Sequence, residues 1–248
     1  MAQSEVGEIR LFNDFTGGEV GIANVVTYAA STGFFHLGDF KFIGDGIDTN
    51  DSGAIAVGTG LGGVIRLTTT NEDAHTAALA TEVMFDVALM GTLVLEARVQ
   101  MSALTARSSY LGFCDVAADA QGVFMTGTGT TLTLTESDLA GFYFDNSLTS
   151  GNWHMVHNGG TATGATDSTD VVSDVAAVAG EWDILRVEIY TNGTIRWFIN
   201  GDLKQTVTNG SSTSVDLAAV VASTGTTTTV ASLDVDYMLV KARRDWTR

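Results

Sequence analysis

Two carboxylate pairs stand two residues apart, Glu181 with Asp183 and Glu136 with Asp138, a spacing that puts both members on one face of a strand. Carboxylates paired in this way cleave glycosidic bonds, because one protonates the leaving oxygen while the other attacks or activates water. Glu136, however, lies in the polar turn Thr135-Glu136-Ser137-Asp138. Of the four histidines His36, His75, His154 and His157, only the last two are close, and three residues apart on a strand they face opposite sides, which argues against a shared metal. Asp45, Asp48 and Asp51 with Asn50 offer hard oxygen ligands to Ca²⁺, but their spacing departs from the calcium-loop template, so a solvated turn is expected. Gly58, Gly60, Gly62 and Gly63 are followed by no Lys-Ser/Thr and read as a strand connection, not a phosphate cradle.

Two further groups point to binding. Arg186, Glu188, Tyr190 and Trp197 form an amphipathic surface whose aromatic faces, flanked by polar groups, suit sugar stacking or a protein interface. The competing arrangement is a second buried layer, with Arg186 paired to Glu188. At the C-terminus Lys241, Arg243, Arg244 and Arg248 gather around Trp246 on an otherwise acidic chain, a composition that suits docking on a larger assembly. A frayed terminus that pairs loosely with the domain's own carboxylates competes with that reading.

The chain that must position these residues has 248 residues, 45% of them hydrophobic, broken up by 28 Gly and many Thr, Ser and Asn into short runs. That composition predicts one all-β sandwich domain over 1–248, with a short N-terminal extension and a basic tail at 241–248. The net charge of −17 argues against nucleic acid as a partner and is otherwise read as a solubility device. Apolar stretches fall short of a membrane span and the Met-Ala-Gln-Ser-Glu start lacks a basic-then-apolar leader, so synthesis in a cytoplasm without membrane insertion is expected. The lone Cys114 sits in the apolar run after Tyr110-Leu111-Gly112-Phe113 and reads as a buried, inert thiol. The chain has no proline, which removes slow prolyl isomerisation from folding.

Alternation of apolar and polar residues marks the strands. Leu93, Leu95, Ala97, Val99 and Met101 point inward against Glu96, Arg98 and Gln100, and Leu233, Val235, Tyr237 and Leu239 inward against Asp234 and Asp236. Further strands are expected at 8–15, 39–43, 63–69, 110–116, 131–135, 141–144 and 153–157. Only 74–84 has helix propensity, weakened by Thr76 and Thr81, and 126–130, 159–168 and 223–229 read as surface loops. The strongest local signal is Asn192-Gly193 between Trp182–Tyr190 and Thr194–Ile199, which predicts a two-residue type I′ hairpin with Thr191 opposite Thr194. In that register Leu185, Val187, Ile189 and Phe198 face the core with Arg196 beneath them, and Ile184, Arg186, Glu188, Tyr190, Ile195, Trp197 and Ile199 face away.

The run Gly180-Glu181-Trp182, Arg186-Val187-Glu188-Ile189-Tyr190, Asn192-Gly193-Thr194-Ile195 and Ile199-Asn200-Gly201 resembles the penultimate hairpin of concanavalin A-like and laminin-G-like jelly rolls. Leu95-Glu96-Ala97-Arg98-Val99 followed by Gly112-Phe113-Cys114-Asp115 resembles an upstream strand pair, and Leu233-Asp234-Val235-Asp236-Tyr237 the closing strand. The resemblance covers about 150 residues from roughly 90 onward and implies a two-sheet antiparallel jelly-roll β-sandwich. Glycan-cleaving relatives of that fold carry a third carboxylate with apolar spacing, which both pairs here lack, so no enzyme and no cofactor is expected. The succession of segments is also similar to tailed-bacteriophage decoration and fibre proteins. That similarity implies a non-enzymatic, homo-oligomeric virion protein bound to the major capsid protein or another virion protein, or alternatively a lectin-like module that takes a glycan.

Overall fold

Strands dominate because apolar residues recur at every second position between Gly- and Asn-rich turns, so each segment can bury one face. The computed structural model describes residues 7–16, 26–27, 35–44, 54–57, 63–118 and 121–244. Among them, strands numbered in chain order form two antiparallel sheets of nine strands each. The first runs β18 (Asp202–Val207), β17 (Ile195–Ile199), β16 (Trp182–Ile189), β9 (Leu93–Gln100), β20 (Ser232–Arg243), β6 (Ile65–Thr68), β5 (Ala54–Val57) and β2 (Val26–Thr27). One edge of the long β20 is shared: its start pairs with β6 and its end with β1 (Glu8–Asn13). The second sheet runs β15 (Val172–Ala176), β14 (Asn152–Asn158), β13 (Leu139–Asp145), β10 (Arg107–Cys114), β19 (Asp216–Gly225), β7 (Thr76–Ala80), β4 (Phe40–Ile43) and β3 (Phe35–Leu37). The short β8 (Phe85–Asp86) extends β7 along the edge of β19.

The sheets pack on a core that includes Leu93, Leu95, Ala97, Leu185, Val187, Trp197 and Met238 from the first and Phe113, Phe142, Trp153 and Val221 from the second. The second sheet is buried on its other side as well. There Tyr110, Tyr143, Val156 and Val220 lie beneath a hairpin of β11 (Met125–Thr128) and β12 (Thr131–Leu134), which contributes Met125 and Leu132, and beneath Val171 of the one-turn helix α1 (Ser168–Val171). Only the first sheet has an outer face of alternating polar and half-buried side chains, seen in the pattern of β9.

Several sequence expectations change. The hairpin between β16 and β17 pairs Val187 with Trp197 and Ile189 with Ile195. The Tyr190 amide donates to the Thr194 carbonyl and the Gly193 amide to the Tyr190 carbonyl, both at 2.8 Å, so the loop has three residues, not two. Gly193 at φ +74° supplies the left-handed position of a bulged turn. A one-residue change of register turns a strand over, so Ile195, Trp197 and Ile199 point into the core while Arg196 and Phe198 point outward. The two-residue turn occurs instead at Asn200-Gly201, both with positive φ, between the paired Ile199 and Asp202. In β20 a bulge at Asp236 does the same: Leu233 and Val235 face inward as expected, but Met238, Val240 and Ala242 continue the inner row, and Tyr237 and Leu239 face out.

The segment 74–84 forms strand β7, fully buried, and no helix. Part of 126–130 belongs to the β11–β12 hairpin, and 223–225 are the end of β19. The basic tail does not start at 241, because Lys241 and Arg243 belong to β20 and sit opposite Arg10 and Glu8. Asp45, Asp48, Asn50, Asp51, Gly58, Gly60, Gly62, Trp246 and Arg248 lie outside the described residues.

Candidate functional site

The outer face of the first sheet collects charged and aromatic side chains into rows that run across its strands. One row reads Phe198, Arg186, Glu96, Leu239, Phe12, and the next Arg196, Glu188, Val94, Lys241, Arg10. On the other side of the first row come Ile184, Arg98 and Tyr237, then Trp182, Gln100, Asp234 and Arg66. Three arginines stack on aromatic rings: Arg98 on Trp182 at 4.6 Å, Arg186 on Phe198 at 5.2 Å and Arg196 on Tyr190 at 5.0 Å. Carboxylates fix the same cations. Arg186 donates to Glu188, Arg98 to Asp236 at 2.8 Å, and Arg66 reaches both oxygens of Asp234 at 2.6 and 2.8 Å. Tyr190 donates to Glu188 at 2.8 Å and accepts from Arg196 at 3.1 Å, while Tyr237 donates to Glu96 at 2.9 Å. Burial, helped by the neighbouring carboxylate, pushes both tyrosine hydroxyls above their ordinary range.

Among these rows lies a cleft of about 240 Å³ lined by Glu96, Arg186, Phe198, Tyr237 and the Asn200-Gly201 turn. The Nε of Arg186 is buried there without a hydrogen-bond partner. An aromatic wall on each side of a guanidinium and a carboxylate is an arrangement that can stack a sugar ring and hydrogen-bond its hydroxyls.

Of the residues singled out in the sequence, Arg186, Glu188 and Tyr190 meet here. Trp197 does not: its indole is fully buried between the sheets, and its Nε1 donates to the Gly141 carbonyl at 2.8 Å. Arg243 is exposed at the end of β20, and Arg244 is exposed with its amide bonded to the Gly7 carbonyl at 2.7 Å. The sequence reading left out Phe198 and Arg196, because of the turn, and Tyr237, because of the bulge. Glu96 and Arg98 were visible as outward residues of an alternating strand.

The other candidates resolve differently. Asp183 accepts from the Trp153 indole at 2.9 Å and from Asn200 at 3.0 Å, so both its oxygens are engaged, and Glu181 is exposed. Glu136 and Asp138 are buried, and desolvation, with Asp115 nearby, raises both carboxyls; Gln121 donates to Glu136 at 2.8 Å. His154 belongs to the outer side of the second sheet and His157 contacts Trp197 on the inner side, and burial lowers both. Among the described residues no three His, Cys, Asp or Glu side chains converge to hold a metal. Cys114 is buried and burial pushes its thiol up. A second cleft of about 250 Å³ over the second sheet contains Asp145, whose oxygens accept from Tyr143 at 2.6 Å, Gly127 at 3.1 Å and Ser147 at 2.8 Å. That carboxylate pins the β11–β12 hairpin to the sheet.

Neither a protein-family model nor a curated protein sequence matches the chain. Solved structures do. A protein of unknown function from Shewanella oneidensis MR-1 superimposes with a TM-score of 0.61 at 16% identity, over 100% of this chain and 91% of its own. An endo-acting O-glycanase of the human gut microbiota gives 0.54 at 11% identity, over 94% and 99%. Peanut lectin gives 0.50 at 15% identity, over 89% and 98%. With two antiparallel sheets packed face to face in this strand order, the chain has the concanavalin A-like jelly-roll fold.

Proposed function

We propose that the chain is a carbohydrate-binding module, without hydrolytic activity, that holds its ligand across the outer face of the first sheet. The cleft between Phe198 and Tyr237, floored by Arg186 and Glu96, carries this reading. The same fold is used by peanut lectin, a precedent at the level of fold. Binding without turnover fits the engagement of both Asp183 oxygens by Trp153 and Asn200. A glycan array followed by calorimetry should find a saccharide whose affinity falls about tenfold or more in Phe198→Ala and Tyr237→Ala, the loss of one stacking platform. Unchanged affinity in both variants refutes the placement. Incubation with β-glucans, galactans and alginate should give no product; turnover that disappears in Glu181→Gln would overturn the non-catalytic reading.

The same Arg- and aromatic-rich face favours a second reading, since these residue types concentrate at the energetic centres of protein interfaces. The chain would then be a virion surface protein bound to the major capsid protein. Quantitative mass spectrometry of purified particles tests this: a copy number near that of the shell protein supports it, and absence from particles rejects it.

A further inference from the structure

The charges on the outer face of the first sheet do not follow those of the chain. Its rows contain seven of the twelve Lys and Arg residues but five of the 29 carboxylates (Glu8, Glu96, Glu188, Asp234 and Asp236), so the face is at +2 while the whole chain is at −17. Three of the cations, Arg66, Arg98 and Arg186, are ion-paired within the face, and Arg196 is bonded to Tyr190. Arg10 and Lys241 are different. They stand directly opposite each other on β1 and β20. Like charges in that position repel. Neither makes an ion pair with a described carboxylate, and Arg243, two residues further on the same side of β20, makes none either. Beside this trio the rings of Phe12 and Tyr237 lie 6.2 Å apart, and Arg10 sits 5.7 Å from the Phe12 centroid. The aromatic pair joins the cationic corner to the cleft, since Tyr237 lines both.

We infer that the ligand is an acidic polysaccharide, with a sugar ring stacked on Phe12 and Tyr237 and its carboxylate between Arg10, Lys241 and Arg243. This rests on the carbohydrate-binding reading above. The charge pattern favours such a polymer over nucleic acid. Duplex DNA presents one charge per roughly 1.7 Å, and the carboxylates interspersed along this face would oppose so dense an array. A polyuronide has its charges spaced by uncharged ring surface, which matches cations separated by aromatic rings.

Polygalacturonate and its fully methyl-esterified form share one backbone and differ in charge, so calorimetry of the full chain with both isolates the inference. The acid form should bind about tenfold more tightly, the effect of two or three partly exposed charge contacts. The difference should shrink between about 50 and 200 mM salt. The double variant Arg10→Gln, Lys241→Gln should bind the two forms alike. It should also melt no lower than the parent, because a repulsive pair has been removed, so lost binding cannot be ascribed to unfolding. Equal affinity of the parent for both forms overturns the inference and leaves the carbohydrate reading standing. Binding of single-stranded RNA as tight as that of polygalacturonate overturns it in favour of a general polyanion surface. Failure of every glycan on a broad array, neutral and acidic, removes the underlying reading itself.

Discussion

The register of the β16–β17 hairpin decides which aromatic ring holds the sandwich together and which is available to a ligand, so truncating the two neighbours separately is the sharpest test of the structure. Trp197 is fully buried, paired with Val187 and bonded through Nε1 to the Gly141 carbonyl of the opposite sheet. Trp197→Ala should therefore lose about 3 to 5 kcal/mol, the range for deleting a large buried aromatic. For a domain of this length that lowers the melting temperature by about 6 to 20 °C. Phe198 is half-exposed and packs on Arg186. Half the burial of an aromatic side chain plus one cation–π contact gives about 1 to 2 kcal/mol for Phe198→Ala. Trp197→Phe keeps most of the ring and loses the hydrogen bond, so it should fall between the two at about 1.5 to 3 kcal/mol. Urea titration followed by far-ultraviolet circular dichroism measures all three, and an unchanged slope would confirm that the same folded and unfolded states are compared. A two-residue turn would exchange the roles of the neighbours. If Phe198→Ala costs about 3 to 5 kcal/mol and Trp197→Ala about 1 to 2, the three-residue loop is wrong, and with it the composition of the proposed binding face.

Burial lowers His154 and His157 from the ordinary 6.5, so the unfolded chain binds more protons than the folded one just below that value. Their contribution to stability is present above about pH 6.5 and is lost as the pH falls toward their folded values, so the urea midpoint should drop between about pH 7 and 5.5, and less so in His154→Phe; a midpoint that is flat over that interval contradicts the burial of both rings. At Gly112 an added Cβ would lie 2.4 Å from the Ala140 carbonyl oxygen, between two backbones that cannot part without breaking the β10–β13 ladder, so Gly112→Ala should cost more than about 3 kcal/mol. Gly180→Ala, where the Cβ meets nothing but φ is +80°, should cost only about 1 kcal/mol, and soluble yield with thermal melts would separate the two. Ending the chain after Val240 removes three residues that pair with Glu8, Ile9 and Arg10, so it should lower the melting temperature, whereas ending it after Arg244 keeps every one of those pairs; equal melting of the two truncations would mean that the end of β20 carries no load.

How far the sequence reveals this fold depends on how many faces of a strand are buried. β9 and β16 have one solvent face, so period-two alternation is plain in Leu93 to Gln100 and in Trp182 to Ile189, and their outward residues Glu96, Arg98, Arg186 and Glu188 can be read directly. β7 and β19 belong to the sheet that is covered on both sides, and Thr76-Ala77-Ala78-Leu79-Ala80 and Leu217-Ala218-Ala219-Val220-Val221 show no alternation because both of their faces are apolar. Small residues are needed where two layers close on one sheet, and alanine-rich runs then mimic helix. The site was legible along single strands and lost between them. Arg186, Glu188 and Tyr190 share a strand, so their common face follows from alternation, but Phe198 and Tyr237 join them through a turn length and a bulge. Both are one-residue choices that leave composition unchanged and reverse every side chain beyond them.

The distribution of burial between the sheets also argues for where a ligand can bind. Reaching the outer face of the second sheet would mean lifting the β11–β12 hairpin, with Phe124, Met125 and Leu132, off Tyr110, Tyr143 and Val220, and exposing a fully buried Asp145 that four groups hold in place: the Tyr143 hydroxyl, the Gly127 and Ser147 amides, and the hairpin itself. Apolar area of that extent is worth several kcal/mol at about 25 cal/mol per Å², more than a weak glycan contact returns. The first sheet demands no such rearrangement. Its arginines are already stacked on Trp182, Phe198 and Tyr190 and tied to Asp236 and Glu188, so the rotamers that a ligand would need are fixed before it arrives. Ordering a flexible side chain at an interface costs about 0.5 to 1.5 kcal/mol, and a prearranged arginine avoids most of that. The ion pairs that look like mere sheet stabilisation thus hold a binding surface in readiness, and the pair left repelling, Arg10 and Lys241, is the one position on the face where an incoming anion improves the fold that receives it.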